Sequence, residues 1–190
     1  MVSKLSSSEL SPIAIRNAQP SDINDLSVLL LHSFNHGLGE SNNRWMQMLI
    51  QLSIQADLNH RINTPSRYQS TQHRCLVAVN PSDENTILGT VEVSIQRHYL
   101  WSSSRYVYLS NLAVQTNYRR QGIAYELLQR CELVGKSWGL GDMYLHVRED
   151  NRAARQLYER CGYQIQRIDF NLGSLLLRQA QPLFLHKKLQ

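Results

Sequence analysis

The sequence is short of charge. Only 18% of its 190 residues are Asp, Glu, Lys or Arg, against roughly 25% in an average globular domain. Sparse charge beside 42% hydrophobic residues excludes disorder driven by charge. No apolar run approaches the ~18 residues that a membrane-crossing helix needs, so no membrane partner is expected. The opening MVSKLSSSELSP lacks the apolar centre of a signal peptide, and residues 1–12 read as a flexible tail. Cysteine is scarce as well. Cys75, Cys131 and Cys161 are odd in number, far apart and without a CxxC pair. That argues against a disulfide framework or a zinc site, and it favours buried free thiols in a reducing compartment. A cytoplasmic location without a metal is the expectation.

Basic charge is present but dispersed. Twenty Lys+Arg against fifteen Asp+Glu leave a net +5, yet no basic run is longer than Arg119-Arg120 or Lys187-Lys188. Nucleic-acid binders gather their charge on a face or in a run, so no nucleic-acid partner is expected. The excess suits one anionic ligand instead. No repeat recurs at a period of 20–50 residues, which argues against solenoids and propellers. The length fits one domain, here residues 13–190.

Hydrophobic periodicity gives the order β-α-α-β-β-β-α-β-α-β-β, a mixed α/β chain. Ile13–Arg16 reads as a strand, and Ser21 or Asp22 caps a helix through Ile23, Leu26, Leu29 and Leu30. A second helix presents Trp45, Met48, Leu49 and Leu52, and the polar stretch Asn59–Arg74, broken by Pro65, reads as loop. Cys75–Val79 and Ile87–Gln96 form a hairpin with a loop of about six residues around Asn80-Pro81-Ser82-Asp83. His98–Arg105 is a turn region. Tyr106–Val114 is a β-prone strand. Gly122–Trp138 is an amphipathic helix with Leu127, Cys131, Val134 and Trp138 on one face. Met143–Arg148 is a strand and Asn151–Arg160 a helix, and strands near Tyr163–Phe170 and Leu183–Leu189 close the chain.

One segment carries chemistry. Strand 106–114 runs through Tyr118-Arg119-Arg120-Gln121-Gly122-Ile123-Ala124 straight into a helix. A glycine turn at a helix start gathers unpaired N–H donors and the positive end of the helix dipole, which makes an anion site. Arg119 and Arg120 add guanidinium groups suited to phosphate oxygens, and the spacing fits a diphosphate. No Lys-Ser or Lys-Thr follows the glycine and no GxGxxG is present, so nucleotide hydrolysis and dinucleotide binding lose support.

Arg119-x-x-Gly122-x-Ala124 follows Leu112-Ala113-Val114, and Asn151-x-x-Ala154 and Leu157-Tyr158-x-x-x-Gly162-Tyr163 come after it. In that order these signals resemble the GCN5-related N-acetyltransferase superfamily, most strongly from Tyr106 to Tyr163 and weakly in the forties to seventies and at the C-terminus. The resemblance implies a mixed, mostly antiparallel central sheet of about seven strands flanked by four helices. It also implies an enzyme that transfers the acetyl group of acetyl-CoA to a primary amine by direct attack in a ternary complex. The pyrophosphate would lie on Arg119, Arg120, Gln121, Gly122, Ile123 and Ala124. The pantetheine arm would lie along Leu112, Ala113 and Val114, where this strand splays from the next, with Asn151 touching it. Tyr158 would stand near the sulfur and protonate the departing thiolate.

The attacking amine must shed a proton, which needs a base or a water relay. Tyr144-Leu145-His146-Val147 resembles a strand of one branch of N-terminal acetyltransferases in which the histidine works with a tyrosine, and Tyr108 falls at that tyrosine's position. Glu92 and a backbone-held water are the other candidates. Strands similar to Tyr108-Leu109-Ser110-Asn111-Leu112-Ala113-Val114 also occur in plastid and cyanobacterial acetyltransferases that modify both α-amines and lysines. An α-amine of pKa ~7.7–8.0 is partly neutral at pH 7, whereas lysine lies more than two units higher, worth roughly 3–4 kcal/mol. The expected acceptor is therefore a protein or peptide N-terminus, with lysine activity allowed. A small-molecule amine acetyltransferase and a non-catalytic acetyl-CoA sensor are the alternatives, and a monomer or homodimer is expected.

Overall fold

The structure is a computed structural model that describes residues 13–34, 44–63, 72–97, 104–169 and 180–189. Seven strands form one sheet: β1 (Ala14–Asn17), β2 (His73–Asn80), β3 (Asp83–Arg97), β4 (Arg105–Val114), β5 (Asp142–Arg148), β6 (Gln164–Ile168) and β7 (Pro182–Lys188). Their order is β1-β2-β3-β4-β5-β7-β6. Every pairing is antiparallel except the central β4–β5. Four helices flank it: α1 (Ile23–Phe34), α2 (Arg44–Asn63), α3 (Ile123–Ser137) and α4 (Arg152–Arg160). This is the expected element order, and it makes the fold a mixed α/β sheet with helices on both faces.

Alternation along the strands assigns each face its helices. Leu76, Ala78, Val91, Val93, Val107 and Leu109 point to one side, where they meet Leu127, Leu128 and Cys131 of α3. Val77 and Val79 point to the other, against Leu26, Leu29 and Leu30 of α1 and Leu58 of α2. Leu127 and Leu128 have no exposed surface, and burying each contributes about 1.5–3 kcal/mol. Gly89 lets β3 pass close under β4, since a Cβ there would stand 2.9 Å from the Ala113 carbonyl oxygen. All three cysteines are buried free thiols, and burial pushes Cys75 up to about 12.

Two local expectations need correcting. The β2–β3 hairpin turns on Pro81-Ser82, with Asn80 opposite Asp83, because Asn80 Oδ1 accepts from Ser82 N–H at 3.0 Å and tightens the turn. The segment expected to be loop from Asn59 remains helical to Asn63, and 64–71 lie outside the described residues. Within α2 the inward stripe is the buried Leu58 with the partly buried Ile54 and Ile62, one turn apart, while Met48, Leu49 and Leu52 are exposed. Gln51 and Gln55 turn inward to the Ser27 hydroxyl of α1, which fixes that rotation. At the start of α1, Asp22 accepts from Gln19 N–H at 2.7 Å and pairs with Arg16 at 2.6 Å. The expected tail 1–12, the Trp45 side chain and most of the 98–105 turn lie outside the described residues. Among the described residues, no helix is long and apolar enough to cross a membrane.

Candidate active site

β4 carries a bulge that reverses its alternation. Thr90 faces Ala113 and Glu92 faces Ser110, so two β4 residues, Asn111 and Leu112, oppose the single Val91. Asn111 takes the extra residue with φ 55, a left-handed conformation that asparagine tolerates. Before the bulge Val107 and Leu109 face α3. After it Ala113 faces α1, while Leu112 and Val114 turn to the α3 side.

The same strand parts from its parallel neighbour. β4 and β5 pair only at Val107–Leu109 against Met143–Leu145. Beyond Leu109, no strand among the described residues lies beside the β4 edge on that side. Gln115 N–H donates to Leu88 carbonyl on the β3 side, so by alternation the backbone groups of Leu112 and Val114 face the gap. Arg119 Nε donates to the Val114 carbonyl at 3.1 Å, which ties the following turn to the rim of this slot.

That turn ends in a bare helix start. Arg120 and Gly122 have φ 65 and 82. Gly122 is the N-cap of α3 and makes no side-chain capping bond. The first intrahelical bond is Glu126 N–H to Gly122 carbonyl, so the amides of Ile123, Ala124 and Tyr125 precede any helical acceptor. A Cβ on Gly122 would meet nothing within 4 Å; glycine is required here by backbone conformation, not by packing inside the protein. Arg120 and Gln121 are exposed, and the Ile123 side chain is buried in the core. The donor set therefore fits an anion held by backbone N–H groups and flanked by arginine. A cavity of about 490 Å³ adjoins the turn, lined in part by Asp25, His32, Thr86, Val114 and Arg119.

Tyr108 and His146 meet across β4 and β5. Tyr108 Oη lies 2.8 Å from His146 Nδ1. His146 belongs to the solvent-side alternation of β5, opposite the buried Met143, Leu145 and Val147. Burial, with Tyr106 and Asp169 adding, pushes the Tyr108 phenol above its ordinary value. Tyr144 and Phe184 stack beside the pair, and Phe184 also contacts the His146 ring at 4.7 Å.

Tyr158 projects from α4 into the core, with 7% of its surface exposed, edge-on to Tyr163. Burial pushes its phenol far up, with Cys161 and Tyr108 contributing, so it stays neutral at any physiological pH. The Asn151 side chain is the N-cap of α4, accepting from Ala154 N–H at 3.1 Å. Its oxygen is thus engaged by the helix.

Glu92 does not have the environment of a base. It is 1% exposed and accepts from Arg61 Nη1 at 2.6 Å and Asn111 Nδ2 at 2.9 Å, with His73 Nε2 at 2.9 Å. Desolvation opposes its charge, but the bonds from His73 and Asn111 and the Arg61 charge outweigh it, and its pKa is lowered. It is a buried, ionised anchor that links α2, β2 and the β4 bulge. One neighbour of the pair went unread in the sequence. Asp169, just past β6, reaches the far side of His146 with Oδ2 2.7 Å from Nε2. Its only sequence signal was a carboxylate two residues beyond a basic strand residue, which is too common to single out.

Residues 45–163, more than half of the chain, match the model of the Acetyltransferase (GNAT) family. The chain belongs to that family. Among curated proteins it is 31% identical over 134 residues to GCN5-related N-acetyltransferase 10, chloroplastic, of Arabidopsis thaliana, covering 64% of this chain and 50% of that protein. It thus spans half the length of that relative. Shorter matches link it to N-alpha-acetyltransferase 30 of Schizosaccharomyces pombe, 41% over 56 residues, covering 30% of this chain and 37% of that one. An aminoglycoside N(6')-acetyltransferase type 1 of Acinetobacter genomosp. 13 is 30% identical over 97 residues, covering 50% and 65%. Among solved structures, the PaiA N-acetyltransferase of Thermoplasma acidophilum in complex with coenzyme A shares the fold with a TM-score of 0.69 at 18% identity, covering 93% of this chain and 99% of that one. The first of these relatives is named for the chloroplast, so the expected cytoplasmic location has no support from it.

Proposed function

We propose that the protein is an acetyl-CoA-dependent N-acetyltransferase acting on the α-amine of a peptide or protein N-terminus. The observation that carries the acceptor class is the 2.8 Å contact between Tyr108 Oη and His146 Nδ1. The cosubstrate reading rests on the splayed β4 edge and the uncapped start of α3, which together suit an extended pantetheine arm ending in a diphosphate. Arg119, Arg120 and the amides of Gln121 to Ala124 hold the diphosphate, and Leu112 and Val114 hydrogen-bond the arm.

The neutral amine attacks the thioester carbonyl carbon, a C–N bond forms and the C–S bond breaks. Tyr108 Oη takes the proton that the nitrogen sheds and passes its own to His146 Nδ1. Tyr158 faces the sulfur. An ordinary thiol has a pKa of about 8.5, well below a phenol raised by burial, so full transfer of its proton to the thiolate is uphill. Tyr158 therefore works as a hydrogen-bond donor to the developing thiolate, which takes its proton finally from water. An α-amine suits this arrangement because little deprotonation is left for the relay to drive. The N-alpha-acetyltransferase among the relatives supports that acceptor by its name. The aminoglycoside acetyltransferase keeps a small polyamine as the second reading.

The test is a panel of acceptors with acetyl-CoA: peptides with a free α-amine, the same peptides α-blocked with one lysine, spermidine and kanamycin. Coenzyme A release and the position of the acetyl group by mass spectrometry are the readouts. The highest kcat/KM is expected for free α-amines. Turnover confined to spermidine or kanamycin overturns the acceptor class, and no turnover with any arm overturns the activity.

A further inference from the structure

We infer that Asp169 is a third member of the proton relay, a positioning residue that sets the tautomer of His146; this rests on the proposed role of the Tyr108–His146 pair. The topology brings it there. β7 lies between β5 and β6, with His146 opposite Phe184 and Phe184 opposite Arg167. Asp169 N–H donates to the Pro182 carbonyl at 2.9 Å, which holds the residue at the end of β6 on the same face as Arg167. Its carboxylate then divides its two oxygens. Oδ1 accepts from Arg167 Nε, and Oδ2 meets His146 Nε2 at 2.7 Å. Arg167 in turn lies over the Phe184 ring at 4.2 Å, so the carboxylate is steadied from below as well as paired.

Tautomer choice follows from acceptor chemistry. An ionised carboxylate can only accept, so the nitrogen it faces must carry the proton. His146 is thereby fixed as Nε2–H, and its Nδ1 lone pair points at the Tyr108 hydroxyl. Tyr108 must then donate to His146, which leaves the phenol oxygen's own lone pairs toward the acceptor amine. When the amine proton reaches Tyr108 and the phenol proton reaches Nδ1, the imidazolium formed sits against an anion. Arg167 keeps that anion charged: its hydrogen bond, followed by that of His146, holds the Asp169 carboxyl below its ordinary value. The arrangement parallels the way an aspartate orients the histidine of a serine hydrolase triad, with a tyrosine in place of the serine.

Asp169→Asn tests the idea with little change in shape. An amide can donate to Nε2, which drives the ring to the Nδ1–H tautomer and aims a proton at Tyr108. Ring 15N spectra of His146 should show the two nitrogens exchanging character, with Nε2 protonated in the parent and Nδ1 in Asp169→Asn. With the best α-amine peptide of the panel, kcat should fall about a hundredfold, the low end of general acid–base contributions. KM for acetyl-CoA should stay within about twofold, and Asp169→Glu should recover part of kcat and the parental 15N pattern. Unchanged kcat in Asp169→Asn, or an unchanged tautomer, overturns the inference. Tyr108→Phe and His146→Gln separate it from the reading beneath it. If both keep full activity, the relay itself fails. If both lose activity while Asp169→Asn does not, only the place of Asp169 fails.

Discussion

Glu92→Gln removes one negative charge from the interior and almost no volume. In the parent, Glu92 is 1% exposed and engages Arg61, His73 and Asn111 at 2.6, 2.9 and 2.9 Å. Hydrogen bonds to a charged group are each worth roughly 1.5–3 kcal/mol. The sum is not the net effect, because burying the carboxylate carries a desolvation cost that glutamine avoids. Arg61 also keeps Asp57 as a partner at 2.8 Å and is partly exposed, so it is not stranded. With the two opposing, the net loss is set at about 2 kcal/mol, the worth of one hydrogen bond to a charged group. For a domain of this size, about 2–4 °C of Tm per kcal/mol gives a drop of ~4–8 °C by calorimetry at neutral pH. The pH dependence has a definite sign. The folded carboxyl lies below its ordinary value of 4.5, so its stabilisation is complete above that value and fades as pH falls through the lower folded one. The gap between parent and variant should therefore be full at pH 6–7 and close in acid. Turnover should persist, since Glu92 is an anchor here. A Tm change under about 1 °C, a gap constant down through the acid range, or lost turnover at unchanged Tm each refutes the reasoning, and the last returns Glu92 to the role of base.

Two further outcomes concern the cosubstrate. Arg120→Glu with Gly122→Glu should abolish acetyl-CoA binding by calorimetric titration, whereas Gly122→Ala alone should cost about 1–2 kcal/mol of stability for its left-handed φ, because its Cβ meets nothing. Unchanged affinity in the double variant contradicts the anion site. Tyr158→Phe should lower kcat about tenfold to a hundredfold, one lost hydrogen bond to a developing charge, with KM for acetyl-CoA kept; an unchanged kcat removes Tyr158 from the chemistry.

Legibility in the sequence tracked how local each signal was. The α3 stripe of Leu127, Cys131 and Val134 is buried as its spacing implied, since one helix and one apolar face settle it. Met48, Leu49 and Leu52 lie on a helix, as their spacing implies, but stay exposed because α2 has apolar residues on two faces and Ser27 on another helix decides which turns inward. The hairpin loop was overestimated because Asp83–Thr86 is polar, yet extends β3 at the edge of the turn. The bulge at Asn111 was invisible: an asparagine in a β-prone run carries no mark of φ 55. That single inserted residue turns Leu112 and Val114 to the α3 layer and Ala113 to the α1 layer. The Tyr108–His146 contact could be anticipated through resemblance, but Asp169 could not. It lies 23 residues from His146 in sequence and is joined to it through β7, a strand that comes later in the chain.

The two tyrosines occupy environments that divide the proposed work. Amine attack generates a proton that must leave, and thiolate departure generates a negative charge that must be stabilised where it forms. Tyr108 is linked to a half-exposed histidine and a carboxylate with 35% and 33% of their side-chain surface exposed, so a proton delivered there has a short path to water. Tyr158 is largely buried, with 7% of its surface exposed; burial keeps it neutral, and a hydrogen bond to an anion is strengthened there by the low dielectric. If both tyrosines were buried, the proton would have no exit; if both were exposed, water would compete for the sulfur. Here the division follows from topology. β4 and β5 carry the relay to the sheet's α1 face beside β7, while α4 carries Tyr158 into the opposite layer, and the splay between the two strands is where a thioester could meet both.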